Sequence, residues 1–252
     1  MEHYETLRQV PGAKTAVLFL HGIAGTPNQF RKLMPLEDLV PEDWSVFNIR
    51  YPGYGGTVKE FGRSNIDQWR DYARERFQEL AQSHEQVLIV GHSMGTLFAM
   101  QLALYNPEKV AGLFLMNVPL RPWPRLILIP NCLRLAFGGI REDHPRERCF
   151  EIACGVTPTA LVWQYISWIP RVFELFGEII RTEKVMDNLS VPCIAFQSRK
   201  DDLVSNFTAP VLRKSGVMEV RELPESTHFY YAPWELKAVV REFEKQIKKV
   251  SG

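Results

Sequence analysis

Three stretches of this 252-residue sequence hold side chains that could act together in chemistry. Gly91-His92-Ser93-Met94-Gly95 sets a serine between glycines two positions away on either side. Asp201 and Asp202 stand side by side in AFQSRKDDLVS, and His228 stands in LPESTHFYYAP. A serine hydroxyl is a poor nucleophile until a base takes its proton. An imidazole serves as that base when a carboxylate holds it in the right tautomer and orientation. The chemistry implied is covalent attack on an electrophilic carbon, with Ser93 as nucleophile, His228 as base and one of the two aspartates as orienter; the other aspartate belongs to a solvated turn or cap. The remaining histidines fit this role less well. His3 is in the N-terminal tail, His84 in a polar loop and His144 in a charged stretch. His92 adjoins Ser93, so its side chain diverges and serves packing or hydrogen bonding.

Such an attack produces an oxyanion, which needs fixed N–H donors. The residue after the serine, Met94, offers one backbone N–H. HGIAGTP, residues 21–27, follows an apolar run and offers a second from Ile23. Gly22 and Gly25 let that backbone come close, and His21 is read as holding the loop.

These groups need a scaffold that delivers them to one place. Short, nearly continuous apolar runs at 16–20, 46–49, 87–90, 113–116 and 193–197 read as strands buried on both faces. The run at 218–223, MEVREL, alternates and reads as an edge strand. Between the runs lie helical stretches: one from Thr26-Pro27, one from about 64, one over 94–105 stopping before Pro107, and one over 233–250. Strand–helix alternation gives an α/β fold with a mostly parallel central sheet flanked by helices. The glycines of Gly91–Gly95 then have a reason. A serine on a sharp strand-to-helix turn takes a sparsely populated backbone conformation, and residues two either side must be small.

Residues 120–185 break the rhythm. They show no strand pattern and carry Trp123, Trp163, Trp168, Phe137, Phe150, Phe173 and Phe176. We read a helical cap inserted into a core made of 1–119 and 186–252. Trp163 and Trp168 are candidates to line an acyl pocket; the competing reading makes them contacts that hold the cap to the core.

Composition narrows the class. A net charge of +1 gives no electrostatic case for nucleic acid. An apolar share of 46% and a charged share of 23% suit a globular protein. The longest apolar stretch, 126–137, is cut by Pro130 and Arg134 and is too short for stable membrane insertion. The N-terminus lacks the apolar core of a signal peptide, so a cytoplasmic location is expected. Four cysteines with no CxxC pair read as buried or incidental thiols, with no metal site and no cofactor implied.

VLFLHGIAGTPNQF, VGHSMGTLFAMQLAL, QSRKDDLV and STHFYYAPWE together resemble the four signature regions of the α/β-hydrolase fold, in particular its bacterial carboxylesterase and monoacylglycerol lipase branch. The match covers 1–119 and 186–252. The resemblance implies a Ser93–Asp201–His228 triad, in the chain order of that fold. It favours Asp201 over Asp202, because the family's aspartate stands three residues before a valine, here Val204. It implies oxyanion donors at the Ile23 and Met94 backbone, and a small-molecule ester substrate with an apolar acyl group. Ile23, Thr96 and Ser198 depart from the common residues without removing a catalytic group; Thr96 is expected to loosen the contact between helix and strand. The leading antiparallel strands are expected to be reduced to 4–10. The same triad could instead act on a peptide, carbon–carbon or thioester bond, or transfer an acyl group. A binding protein without catalysis would show a broken triad or oxyanion loop, and both are intact here.

Overall fold

The computed structural model describes residues 4–122, 128–141 and 143–251. His3 and Trp123 lie outside the described residues.

Seven strands form one sheet: β1 (Thr6–Arg8), β2 (Thr15–Leu20), β3 (Ser45–Asn48), β4 (Gln86–His92), β5 (Val110–Met116), β6 (Cys193–Ser198) and β7 (Glu219–Leu223). Their spatial order is β1-β3-β2-β4-β5-β6-β7. Only β1 runs antiparallel, on β3. The helices are α1 (Val58–Arg63), α2 (Ile66–Ser83), α3 (Met94–Tyr105), α4 (Leu128–Ala136), α5 (Pro145–Ala153), α6 (Ile169–Glu183), α7 (Thr208–Ser215) and α8 (Pro233–Ser251). As expected, the 16–20, 87–90 and 113–116 runs are buried on both faces, with side chains alternating between two cores. Ala16, Leu18, Leu20, Ile89, Leu113 and Leu115 face the core that holds α2 and α3. Val17, Phe19, Leu88, Val90, Phe114 and Met116 face the core that holds α8. The alternating run of β7 sits at the sheet edge.

The strand order reverses beside β2. From β2 the chain moves outward to β3, then returns to β4 on the other side and continues to β7. A crevice opens at the carboxyl ends of strands at such a reversal. The loop after β2 and the turn after β4 therefore meet there. α3 starts in this crevice and is buried from Met94 to Ala103, which explains its nearly uniform apolar sequence.

Two expected elements differ. The helix expected from Thr26-Pro27 is a single 3-10 turn, Pro27–Phe30, capped by the Thr26 side chain. His84 is not in an exposed loop. It is buried at the end of α2, bonded to Leu80 O at 2.8 Å and Ser45 Oγ at 2.7 Å.

Between β5 and β6 the described residues form α4, α5, a 3-10 segment (Val162–Trp168) and α6, with no strand. Residues 155–157 thread between two core loops. Gly155 N–H donates to Ala24 O (2.8 Å), Gly55 N–H to Gly155 O (2.7 Å) and Thr157 N–H to Gly56 O (2.8 Å). A Cβ on Gly155 would stand 1.7 Å from Gly25 O, so only glycine fits this crossing. A buried polar latch fixes α6: Gln101 Nε2 donates to Glu178 Oε1 (2.7 Å) and Thr182 Oγ1 (2.8 Å), and Arg70 pairs with Glu178 at 3.0 Å.

Phe243 of α8 is wholly buried against Phe114 (5.2 Å between centroids) and Phe19 (6.3 Å). Truncating it leaves a cavity under the central strands. Phe243→Ala should lower unfolding free energy by about 3–5 kcal/mol, read from the denaturation midpoint.

Candidate active site

Ser93 sits between the last residue of β4 and the first of α3, at φ 52° and ψ −124°. A non-glycine residue in this region is strained, so the surroundings must hold it there. They do. Ser93 N–H donates to Met116 O (2.9 Å), and Ser93 O accepts from Thr96 N–H (2.9 Å) and from the Thr96 hydroxyl (2.6 Å). Thr96 therefore tightens the helix start rather than loosening it. The glycines work by absence of a side chain. A Cβ on Gly95 would lie 2.0 Å from Leu20 O, and one on Gly91 would lie 2.8 Å from Thr96 Cα.

The loop after β2 turns back at once. Gly25 N–H closes a turn onto Gly22 O at 3.0 Å, with Ala24 at φ 49°. A Cβ on Gly22 would lie 2.9 Å from Ser93 Cβ and 3.4 Å from Ser93 Oγ. Gly22 thus lets the Ile23 segment lie beside the serine. Met94 opens α3, so its N–H has no helical partner one turn earlier and is free to donate. His21 bonds its own loop through Nδ1 to Gly22 O at 2.9 Å and packs on Tyr51 and Tyr54.

Asp201 follows β6. Its Oδ1 accepts from Leu203 N–H and Val204 N–H, both at 2.8 Å, which leaves Oδ2 for His228 Nδ1, also at 2.8 Å. Both side chains are buried. Of the two adjacent aspartates, Asp201 meets the histidine; Asp202 is exposed. The His228 loop is pinned by a residue that sequence reasoning missed, the buried carboxylate of Glu235, which accepts from Glu225 N–H (2.9 Å) and the Ser226 hydroxyl. Its only sequence signal was an acid in the first turn of α8.

His92 serves packing and hydrogen bonding, as expected. Its ring lies 4.9 Å from the His228 ring, and Nε2 is 3.0 Å from His228 O. A carbonyl only accepts, so Nε2 carries the proton. Burial, with His228 beside it, holds the His92 imidazole well below its usual range, so it stays neutral. Among the described residues, no hydrogen bond joins Ser93 Oγ to His228. Such contacts are often long before substrate arrives.

The two tryptophans part company. Trp168 is buried, meets Phe61 tilted (4.7 Å between centroids) and Tyr165 edge-on (5.1 Å), and donates from Nε1 to Val58 O at 3.2 Å. It holds the 3-10 segment to α1. Trp163 is 64% exposed. The aromatic side chains near the histidine are instead Phe229, 4.7 Å from His228, and Phe150, 5.9 Å from Phe229. Among the described residues no group of three or more His, Cys, Asp or Glu could hold a metal ion, and no helix is long and apolar enough to cross a membrane. The four cysteines are free thiols.

Comparison with known proteins agrees with this architecture. The model of the α/β hydrolase fold family matches residues 15–137. A thermostable monoacylglycerol lipase of Bacillus sp. (strain H-257) is 24% identical over 224 residues, covering 85% of this chain and 82% of that protein. A pimeloyl-[acyl-carrier protein] methyl ester esterase of Yersinia enterocolitica is 28% identical, covering 79% of this chain and 82% of that protein. Among solved structures, one of the two metagenome-derived lipolytic enzymes LipS and LipT superposes with a TM-score of 0.73 at 22% identity, over 98% of both chains. The monoacylglycerol lipase of Paleococcus ferrophilus superposes with a TM-score of 0.66 at 17% identity, over 98% of this chain and 100% of that one. The chain is an α/β-hydrolase-fold protein, similar to carboxylesterases and monoacylglycerol lipases.

Proposed function

We propose that the protein hydrolyses carboxylic esters of small molecules through an acyl-serine intermediate. The observation that carries this is the Asp201–His228 hydrogen bond, made at the carboxyl end of the sheet where Ser93 also stands in its left-handed turn. His228 Nε2 accepts the Ser93 proton as Oγ attacks the ester carbon. The oxyanion takes hydrogen bonds from Ile23 N–H and Met94 N–H. Collapse expels the alcohol, which takes its proton from His228, and leaves the acyl group on Ser93. Water, deprotonated by His228, then attacks the acyl carbon, and the acid departs as Ser93 regains its proton. Asp201 keeps the proton of His228 on Nδ1 and stabilises the imidazolium that forms.

Residues 120–185 serve as the cap over this site in our reading, with 155–157 fastening it to the oxyanion loop. Phe229 and Phe150 give the region around His228 an apolar character suited to an acyl chain. The relatives support an ester rather than another bond: both curated relatives named above are ester hydrolases by name.

Ser93→Ala should abolish hydrolysis of p-nitrophenyl butyrate, with kcat down about 10⁴-fold or more, while thermal unfolding stays near that of the wild type. A wild-type rate in that variant would refute the assignment. Fluorophosphonate should label the wild type at Ser93 alone, as read by peptide mass spectrometry.

Gly22→Ala brings a methyl against Ser93 and moves the Ile23 donor. Its kcat should fall about 10²–10³-fold, the size of one lost oxyanion donor, in a steady-state ester assay. An unchanged kcat would show that this loop does not serve the oxyanion.

A further inference from the structure

One residue outside the catalytic groups bonds the segments that carry His228 and Asp201 and directly follows the residue that holds Ser93 N–H. Asn117 follows the last residue of β5, is fully buried, and stands at φ 53°. Asparagine tolerates this left-handed region better than most residues, but the position still carries strain. The chain turns sharply here, and the amide side chain reaches the end of β6 and the loop that carries His228.

Its hydrogen bonds are specific. Asn117 Nδ2 donates to His228 O at 3.1 Å and to the Tyr231 hydroxyl at 3.2 Å. Asn117 Oδ1 accepts from Ser198 N–H at 2.9 Å, and Asn117 N–H donates to Phe196 O at 2.8 Å. The preceding residue, Met116, accepts Ser93 N–H through its carbonyl. Ser198 ends β6 and starts the turn that reaches Asp201 three residues later. The side chain's two ends therefore have separate tasks. The NH₂ holds the backbone of the base, and the carbonyl holds the root of the acid loop. His228 O takes a second donor from His92 Nε2, next to the serine.

We propose that Asn117 is a positioning residue for catalysis: it sets the His228 and Asp201 loops in register with Ser93. The proposal rests on the ester-hydrolase reading above. The Asp201–His228 bond fixes the ring, but both residues lie on loops whose relative placement needs its own restraint. Asn117 supplies it from the rigid end of a central strand, in a dry site where unmade hydrogen bonds are costly. Among the described residues, the other side chain bonded to His228 O is His92, and its remaining ring nitrogen makes no hydrogen bond to the acid loop.

The test uses the full-length protein. Asn117→Gly keeps the left-handed backbone and removes only the side-chain bonds. Asn117→Asp keeps an acceptor for Ser198 N–H and cannot donate to His228 O. Folding is checked by near-ultraviolet circular dichroism and gel filtration. For each folded variant, kcat for p-nitrophenyl butyrate should fall about 10–100-fold with KM within twofold, and fluorophosphonate labelling of Ser93 should slow by a similar factor. If Asn117→Gly does not fold, Asn117→Asp decides. A folded variant with kcat within twofold of the wild type overturns the proposal, even if its melting temperature falls, because that is a purely structural role. A wild type that neither cleaves the ester nor labels at Ser93 overturns the functional reading, and this one with it; the two failures are therefore distinguishable.

Discussion

The structure depends on one backbone angle. Ser93 at φ 52° lifts a hydroxyl off the end of the central strand β4, and almost every nearby feature answers to that turn. A non-glycine residue in such a conformation costs on the order of 1–3 kcal/mol. Three hydrogen bonds hold it: one to Met116 O, and two from Thr96 to Ser93 O. The turn also brings backbone into places where no side chain fits. The absence of Cβ at Gly22, Gly91 and Gly95 is a condition of the geometry rather than a loosening of it.

Strand order converts this local turn into a site. Because the chain leaves β2 on one side and returns to β4 on the other, two loops that could stabilise an oxyanion end side by side. Asp201 and His228 come from further out on the same side, beyond β5, after β6 and β7. Long apolar runs make this placement stiff. Side chains of β2, β4 and β5 alternate into two dry cores, so a register slip would exchange the two sets of side chains between them.

What could be read from the sequence was what is local. Buried strands announce themselves as apolar runs, and Gly91–Gly95 carries its steric reason within five residues. Ser93, Asp201 and His228 follow, because each ends or follows such a run. Asn117 is of another kind. Its partners lie 81, 111 and 114 residues away, and a single asparagine after LFLM carries no mark of them. Gly155 was hidden for the same reason, as its meaning is a contact with a distant backbone, while Glu235 reaches only 9 and 10 residues back and reads in sequence as an ordinary first-turn acid. The 3-10 turn at Pro27–Phe30 shows a capping signal without the helix it usually precedes; Phe30 is drawn into the core beside Phe19 within one turn. His84 was misread because it stands among polar residues, while its ring bonds inward.

The helices between β5 and β6 show how a buried polar group can decide geometry that apolar packing leaves open. One face of α6 presents Ile169, Phe173 and Ile180 to solvent, so apolar contact alone does not choose which face meets the core. Glu178, fully buried, does choose. It pairs with Arg70 of α2 and accepts from Gln101 of α3, and neither contact survives a turn of the helix about its axis. Such a pair adds little net stability over a well-packed apolar contact, yet breaking it leaves a buried charge, at a cost of about 3–5 kcal/mol. The penalty falls on wrong arrangements and spares the right one. The backbone bonds of 155–157 do the same at the other end, since Gly155 tolerates no shift that would bring a neighbour's Cβ against Gly25 O. The segment between β5 and β6 is thus located by polar and steric exclusion, while its aromatic residues, Trp168 among them, fill the space so defined.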